Sequence, residues 1–479
     1  MNTVQKNYIY SVLYQLMLIF LPLITAPYIA RTIGPDGVGT YSYTYSVAYY
    51  FVLFATLGIS NHGNRTIALN RDDKKKMSRA FFEILTIQIS MFFIATVAYV
   101  FYSLFVAQIN HRIVWLQILV VFAGACDISW FFFGLEKIKL TVVRNLVIKL
   151  STVFALFIFV KGPSDVWKYT IIMGSGTLIS HLYLWIYVNK YVERTKISIS
   201  GIKTHIKPIV ILFVPVIAYS IYKMMDKIML GNMSSMTQVG YYEYSEKIIN
   251  IPMGIITALG TVMLPRMSHM VAKGEVEKSE RYIRLSIVFL TIIAAAISFG
   301  LMGISHAFVP IYYGESFAEC VGLIIMLSIT IFPMAWANVV RTQYLIPQKK
   351  DNIYVLSTVL GGAINLIINY ILIQKMAARG AVIGTIVAEF TVMIVQVWGI
   401  RKEIGVYKYI ISTVPNIIIG LLMGISVSCL GMVIPNSIFT LVLQVAVGGI
   451  IYIGLSFLYF YFKKDEIYYQ ICNMIRRKR

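Results

Sequence analysis

The chain has 479 residues, 58% of them hydrophobic and 13% charged, and its mean hydropathy is +0.75. Soluble domains carry about 25% charged residues; here apolar runs of about 20 residues recur from end to end, which excludes a soluble globular protein and a β-barrel and points to an all-α integral membrane protein. The formal charge of +21 does not call for nucleic acid, because lysine and arginine lie in short loops between spans, where they set orientation, and acidic membrane lipid is the only polyanionic surface they need.

In chain order, the apolar runs predict about fourteen transmembrane helices. The first six lie near 9–30, 40–62, 80–106, 114–134, 142–160 and 166–188, and the next six near 208–231, 239–265, 284–310, 320–343, 353–373 and 379–400. A last pair covers 410–432 and 437–462. The first run, Ile9 to Ala30, is too long for a signal-peptide core and reads as an uncleaved span.

A basic loop from Asn189 to Lys207 separates two six-span halves, so residues 1–195 and 196–403 are expected to form two bundles, with residues 404–479 adding two helices and a basic tail. The halves echo each other. Val38-Gly39 followed by Tyr41 and Tyr43 recurs as Val239-Gly240 followed by Tyr242 and Tyr244, and Gly176-Thr177 recurs as Gly384-Thr385. Six spans per half would keep both halves in the same orientation. Each half opens with two prolines, Pro22 and Pro27, then Pro208 and Pro215, which read equally as hinges or as static packing kinks. The mixed-charge segment Arg266 to Ile283 is expected to form an amphipathic helix at the inner interface.

Loop charge supports this order of spans. With the N-terminus inside, 32 of the 42 lysines and arginines fall on the cytoplasmic side, six on the other, and four (Lys149, Lys223, Lys227, Lys247) within spans. Both termini are therefore expected in the cytoplasm of a cell whose inner membrane holds the chain.

Enzyme chemistry finds no footing. Cys126, Cys320, Cys429 and Cys472 are scattered, the six histidines show no metal or triad spacing, and Asp72-Asp73 runs straight into Lys74, Lys75 and Lys76 as a solvated charge run. The outer loops leave no room for a catalytic domain, and no cofactor or metal is expected. What stands out is Lys223 to Lys247. It carries Lys223, Asp226 and Lys227 near the end of one span and Glu243, Glu246 and Lys247 at the start of the next. An ionisable group at the helix centre costs about 2.5–3.5 kcal/mol on insertion scales, so these six should line a polar interior. Lys223 and Lys227 share a helix face with Asp226 beside them; Asp226 either serves the transport path or simply neutralises the lysines. Because the block is neutral overall, an anionic substrate would also need Arg31, Lys149, Arg65 and Arg341, set at both levels of the membrane, for which a diphosphate is the matching group. Tyrosines crowd the second span at Tyr41, Tyr43, Tyr45, Tyr49 and Tyr50, where helix packing is favoured over sugar stacking.

Several stretches resemble one family. PYIARTIGPDGVGTYSY from Pro27, DKIMLGNMSSMTQVGYYEYSEKI from Asp226, LPRMS from Leu264, QYLIPQKKDNIYVLS from Gln343 and RGAVIGTIVAEF from Arg379 are similar to Wzx-type flippases. These form the polysaccharide transporter branch of the multidrug/oligosaccharidyl-lipid/polysaccharide exporter superfamily. The resemblance implies two six-helix bundles in a V around a central cavity, with two extra helices. It implies movement of an undecaprenyl-diphosphate-linked oligosaccharide of O-antigen or capsule type between leaflets by alternating access, with H+ or Na+ as coupling ion. Membrane lipids and the polysaccharide polymerase machinery would be its other partners. Matches to the family motifs put Arg31, Asp226, Lys227 and Lys247 in the site, with Lys149, Lys223 and Arg341 added from charge, and make Asp226 and Glu246 the candidates for ion coupling. Two alternatives stay open: a drug or cation antiporter of the multidrug branch, and a polysaccharide polymerase or ligase.

Overall fold

The computed structural model describes residues 3–463. Its chain is helical throughout, and no strand occurs among the described residues. That follows from the solvent: a backbone in lipid must satisfy every N–H and C=O internally, which an α-helix does within one segment. Eleven described helical stretches are long and apolar enough to cross a membrane. The two arms of α1 (Thr3–Thr56) and the 35-residue α9 (Ile199–Met233) accompany them, consistent with fourteen spans. Ile186, Ile450 and Phe462 are 72%, 73% and 78% exposed, an outward apolar surface suited to lipid. The protein is a multi-pass membrane protein.

Between α1 and α9 the chain forms α2 (Ile59–Asn70), α3 (Lys74–Phe101), α4 (His111–Leu116), α5 (Ile118–Ala125), α6 (Ser129–Gly134), α7 (Ile138–Phe159) and α8 (Val166–Tyr191). The later helices are α10 (Met236–Ala272), α11 (Val276–Tyr312), α12 (Cys320–Ser328), α13 (Ile331–Val340), α14 (Asp351–Met376), α15 (Ala378–Gly399), α16 (Val406–Ser412), α17 (Val414–Val433) and α18 (Ile438–Lys463). By contacts the chain divides into two compact units, Met1–Gly240 and Tyr241–Arg479. Helix α9 packs on α1, α2 and α3, so it belongs with the first unit.

Three local expectations are corrected. The first two spans are not parted by a loop: helix runs through Pro22 and Pro27 and breaks only at Gly34 (φ 70°, ψ 178°). Pro35 disfavours a helical residue before it, and only glycine takes that positive φ without strain. The second span stops at Thr56, where Leu57 has φ 47°, and residues 59–62 join the polar helix α2 instead. The segment Arg266–Ile283 is not an interfacial helix of its own. It comprises the end of α10, a turn at Gly274 (φ +71°) and the start of α11. Elsewhere the polar segments behave as expected. Asp73 caps α3 by accepting from the Lys76 N–H at 3.1 Å, and that bond holds its carboxyl below the usual carboxylate range.

The first unit has two apolar centres. Ala48 and Ala55 of α1, Phe92, Ala95 and Tyr99 of α3 and Val121 of α5 form one. Ile59 and Ile67 of α2, Phe81 and Ile84 of α3, Trp130 and Phe131 of α6, Leu184 of α8 and Ile209 of α9 form the other. In the second unit α11 is the central post, touching α12, α13, α16, α17 and α18. Small residues make the close seams, as they do where lipid supplies no hydrophobic drive. Gly420 and Gly424 lie against Phe299, and Gly361 of α14 lies against Val392 of α15.

Candidate functional site

The charges that sequence singles out fall in both units. In the first, Arg31 is exposed on α1, three residues before the Gly34 break, and Lys149 is half-buried on α7. Asp226 is only 3% exposed on α9, and Lys227 beside it is half-buried. The side chain of Lys223 lies outside the described residues.

The seam around Asp226 is built by tyrosines of the second arm of α1. Tyr50 Oη donates to the Ser220 carbonyl at 3.3 Å, six residues before Asp226. Tyr43 Oη donates to Asn232 Oδ1 at 2.7 Å, six residues after it. Gly231 lets the Tyr43 ring close in, since a Cβ there would lie 2.2 Å from the ring. The carboxylate is thus in the middle of a seam that is hydrogen-bonded at both ends. A buried carboxylate within a span is costly to keep and marks a functional position by default. The tyrosine run divides by helical face. Tyr43 and Tyr50 serve this seam, whereas Tyr41, Tyr45 and Tyr49 stack along another face with ring centroids 5.8 and 6.1 Å apart.

In the second unit the charges are organised within one helix turn. Lys247 Nζ lies 3.8 Å from Glu243 Oε1 and 4.5 Å over the Tyr244 ring. Glu246 on the same helix is half-buried. The Lys247 ammonium therefore meets a carboxylate and an aromatic face together, a setting that holds a cation. Arg341 opens a π-helical turn, Arg341–Leu345, with its guanidinium 5.5 Å over the Tyr354 ring. Such turns are frequent at functional sites. Among the described residues no group of three or more His, Cys, Asp and Glu is arranged to hold a metal.

Sequence reading misses what only the third dimension joins. Nothing local marks Asn232 as the partner of Tyr43, 189 residues away. Nor does anything mark Gln343, whose side-chain amide is fully buried in the π-helical turn.

The chain is a polytopic helical membrane protein with charges buried in its spans, and solved structures agree on the fold. A structure described as lipid II flippase MurJ in an inward closed conformation matches at a TM-score of 0.78 and 11% identity, covering 96% of this chain and 99% of its own. An inward-facing multidrug resistance transporter of the MATE family, in the MOP superfamily, matches at 0.60 and 14% identity, covering 84% and 98%. The chain belongs to the polysaccharide biosynthesis protein family, whose sequence profile matches residues 4–271. It is similar to a protein of Escherichia coli K12 provisionally named an O-antigen transporter, 24% identical over 411 residues, 84% of this chain and 99% of the relative. It is also similar to one of the same name from Shigella dysenteriae, 23% identical over 287 residues, 59% and 70%.

Proposed function

We propose that the protein flips undecaprenyl-diphosphate-linked oligosaccharide repeat units, of O-antigen or capsule type, from the inner to the outer leaflet of a bacterial cell membrane. The observation that carries this reading is membership in the polysaccharide biosynthesis family together with similarity to a provisionally named O-antigen transporter along 99% of that relative's length. The charges on the spans, all but the exposed Arg31 buried or half-buried, support it. Arg31, Lys149, Lys227, Lys247 and Arg341 supply cations for a diphosphate, and Asp226 and Glu246 supply carboxylates for a coupling H+ or Na+. Transport would proceed by alternating access, with both termini in the cytoplasm.

Deleting the protein should abolish surface polysaccharide and leave single lipid-linked repeat units facing the cytoplasm. An impermeant sugar-modifying reagent reads which face they occupy. Units labelled from outside would overturn the reading in favour of a polymerase or ligase. Intact polysaccharide with altered drug susceptibility would favour a multidrug antiporter.

A further inference from the structure

Three ionisable side chains, one each from α2, α3 and α9, meet inside the first unit. His205 of α9 lies between two partners. Its Nδ1 is 2.8 Å from Nε2 of His62 on α2, and its Nε2 is 3.4 Å from Oε2 of Glu83 on α3. Glu83 is 4% exposed, and its second oxygen, Oε1, has no hydrogen-bond partner among the described residues. His62 Nε2 also lies 3.4 Å from Thr66 Oγ1.

The backbone is shaped to allow this. One turn before His62, Gly58 faces the Ile209 carbonyl, one turn after His205, and a Cβ there would lie 2.3 Å from that oxygen. One turn before His205, Gly201 faces Glu83, whose Oε1 would lie 2.0 Å from a Cβ. Two glycines thus bring α9 against α2 and against the carboxylate. Gly201 is in the first turn of α9, just after its cap Ser198, where the positive end of the helix dipole favours an anion.

We propose that Glu83, His205 and His62 form a site that binds one proton and ties the start of α9 to α2 and α3, making it a coupling-ion site of the transporter. This rests on the transport reading above. The hydrogen-bond directions follow from the inventory of donors. Without the proton, His62 Nε2–H donates to His205 Nδ1 and His205 Nε2–H donates to Glu83, and the group carries −1. With it, both nitrogens of His205 carry hydrogen and donate, one to Glu83 and one to the Nε2 lone pair of His62, whose own hydrogen then sits on Nδ1, and the group is neutral. A second proton would set two cations side by side, so the pair takes one. Uptake converts a buried carboxylate with a single weak bond into one half of a charge-assisted pair, which tightens the hold on α9; release loosens it. Of the other charges on α2, α3 and α9, Arg65, Lys74, Lys75, Lys76, Arg79, Lys203 and Lys207 are exposed, Lys223, Asp226 and Lys227 lie about five turns or more along α9 from His205, and Arg65 adds positive potential at His62. Helix α6, packed on α2, has no titratable group.

The test is a potentiometric titration of the purified full-length protein in detergent over about pH 5–8, which needs no substrate. His205→Gln and Glu83→Gln should each bind about one proton fewer than the parent, and the double variant His62→Gln/His205→Gln should also lose one, not two. His205→Gln binding as many protons as the parent would overturn the site, as would a double variant that loses two. Hydrogen exchange at residues 199–210 of the parent guards against variants that fail to fold. Protection, corrected for the intrinsic pH dependence of exchange, should rise at least several-fold on acidification, and unchanged protection would overturn the link to α9. In cells, His205→Gln at matched abundance should restore surface polysaccharide at least tenfold less well than the parent. Full restoration would overturn coupling. A normal titration with polysaccharide unaffected by deletion would instead overturn the flippase reading and leave the proton site standing.

Discussion

Gly39 of α1 and Gly240 of α10 meet backbone to backbone, and the contact is reciprocal. A Cβ on Gly39 would lie 1.7 Å from the Met236 carbonyl oxygen, and one on Gly240 would lie 2.0 Å from that of Pro35. Pro35 and Met236 stand in the same offset as Gly39 and Gly240. So do Asp36 and Thr237, which are 201 residues apart and joined by a hydrogen bond of 3.4 Å. Residue i touching j′ while j touches i′ is the signature of a twofold relation between two copies of one motif. The sequence echo at Val38-Gly39 and Val239-Gly240 therefore has a local physical cause: both copies need a glycine because each faces the other's carbonyl.

Gly39→Ala and Gly240→Ala should each lower membrane abundance and thermal stability in detergent. Backbone on both sides leaves no flexible side chain to give way, so overpacking should cost about 1–3 kcal/mol. Gly449→Ala, where a Cβ meets nothing within 4 Å, is the matched control and should change neither. Parent-like stability in the Gly39 and Gly240 variants would mean that the close approach is not used.

Much of the fold is legible in the sequence because lipid enforces long apolar runs, and these fix the spans within a few residues. What fails is local. Arg266–Ile283 has the mixed charge of an amphipathic helix, but the one residue that decides it, Gly274, is a turn between two long helices. Pro22 and Pro27 draw attention as hinges while the break falls at Gly34, where positive φ and the following proline coincide. The candidate charges are visible because they violate hydropathy. The Tyr43–Asn232 seam and the His62–His205 pair are not, since each joins residues more than 140 positions apart.

Reporter fusions test the orientation that loop charge implies. Fusions after Asn189 and at the C-terminus should be active as cytoplasmic reporters, and fusions near Ser234 or Pro435 as external ones. A cytoplasmic Ser234 would overturn the whole span assignment.

One clasp at the end of a span carries a pH dependence. Glu403, in the turn after α15, accepts from Lys350 Nζ and Tyr344 Oη. The Lys350 bond, aided by the tyrosine, holds its carboxyl below the usual range. A depressed carboxyl contributes stability above its unfolded value, about 4.3, and loses it as pH falls through the folded value. The pair is partly exposed, so the effect is small, about 0.2–1 kcal/mol. The parent should therefore lose on the order of 1–2 °C more in Tm than Lys350→Gln on acidification through that window. Parallel acid profiles for the two proteins would show that the clasp adds nothing.

The lysines of the segment Lys223 to Lys247 decide between a substrate site and a neutralised packing seam. If Lys227 and Lys247 meet a diphosphate, charge matters there more than shape. Lys→Arg should keep much of the transport, Lys→Ala should lose most of it and Lys→Glu nearly all. A charge-assisted contact to phosphate is worth about 1.5–3 kcal/mol, or roughly a ten- to hundredfold loss per residue. Lys247 offers an internal check, because it has Glu243 at 3.8 Å and the Tyr244 ring beneath it. Removing that carboxylate by Glu243→Gln should leave a cation readier for substrate and keep transport near the parent level. For Lys227 the paired Lys227→Ala/Asp226→Ala variant is decisive, because Asp226 is buried at 3% exposure and loses its neighbouring charge in the single variant. Transport is read as surface polysaccharide at matched membrane abundance. If the double variant stays as low as Lys227→Ala, the lysine acts on the substrate. Recovery to the parent level would make the pair structural and move the diphosphate site to Arg31, Lys149 and Arg341.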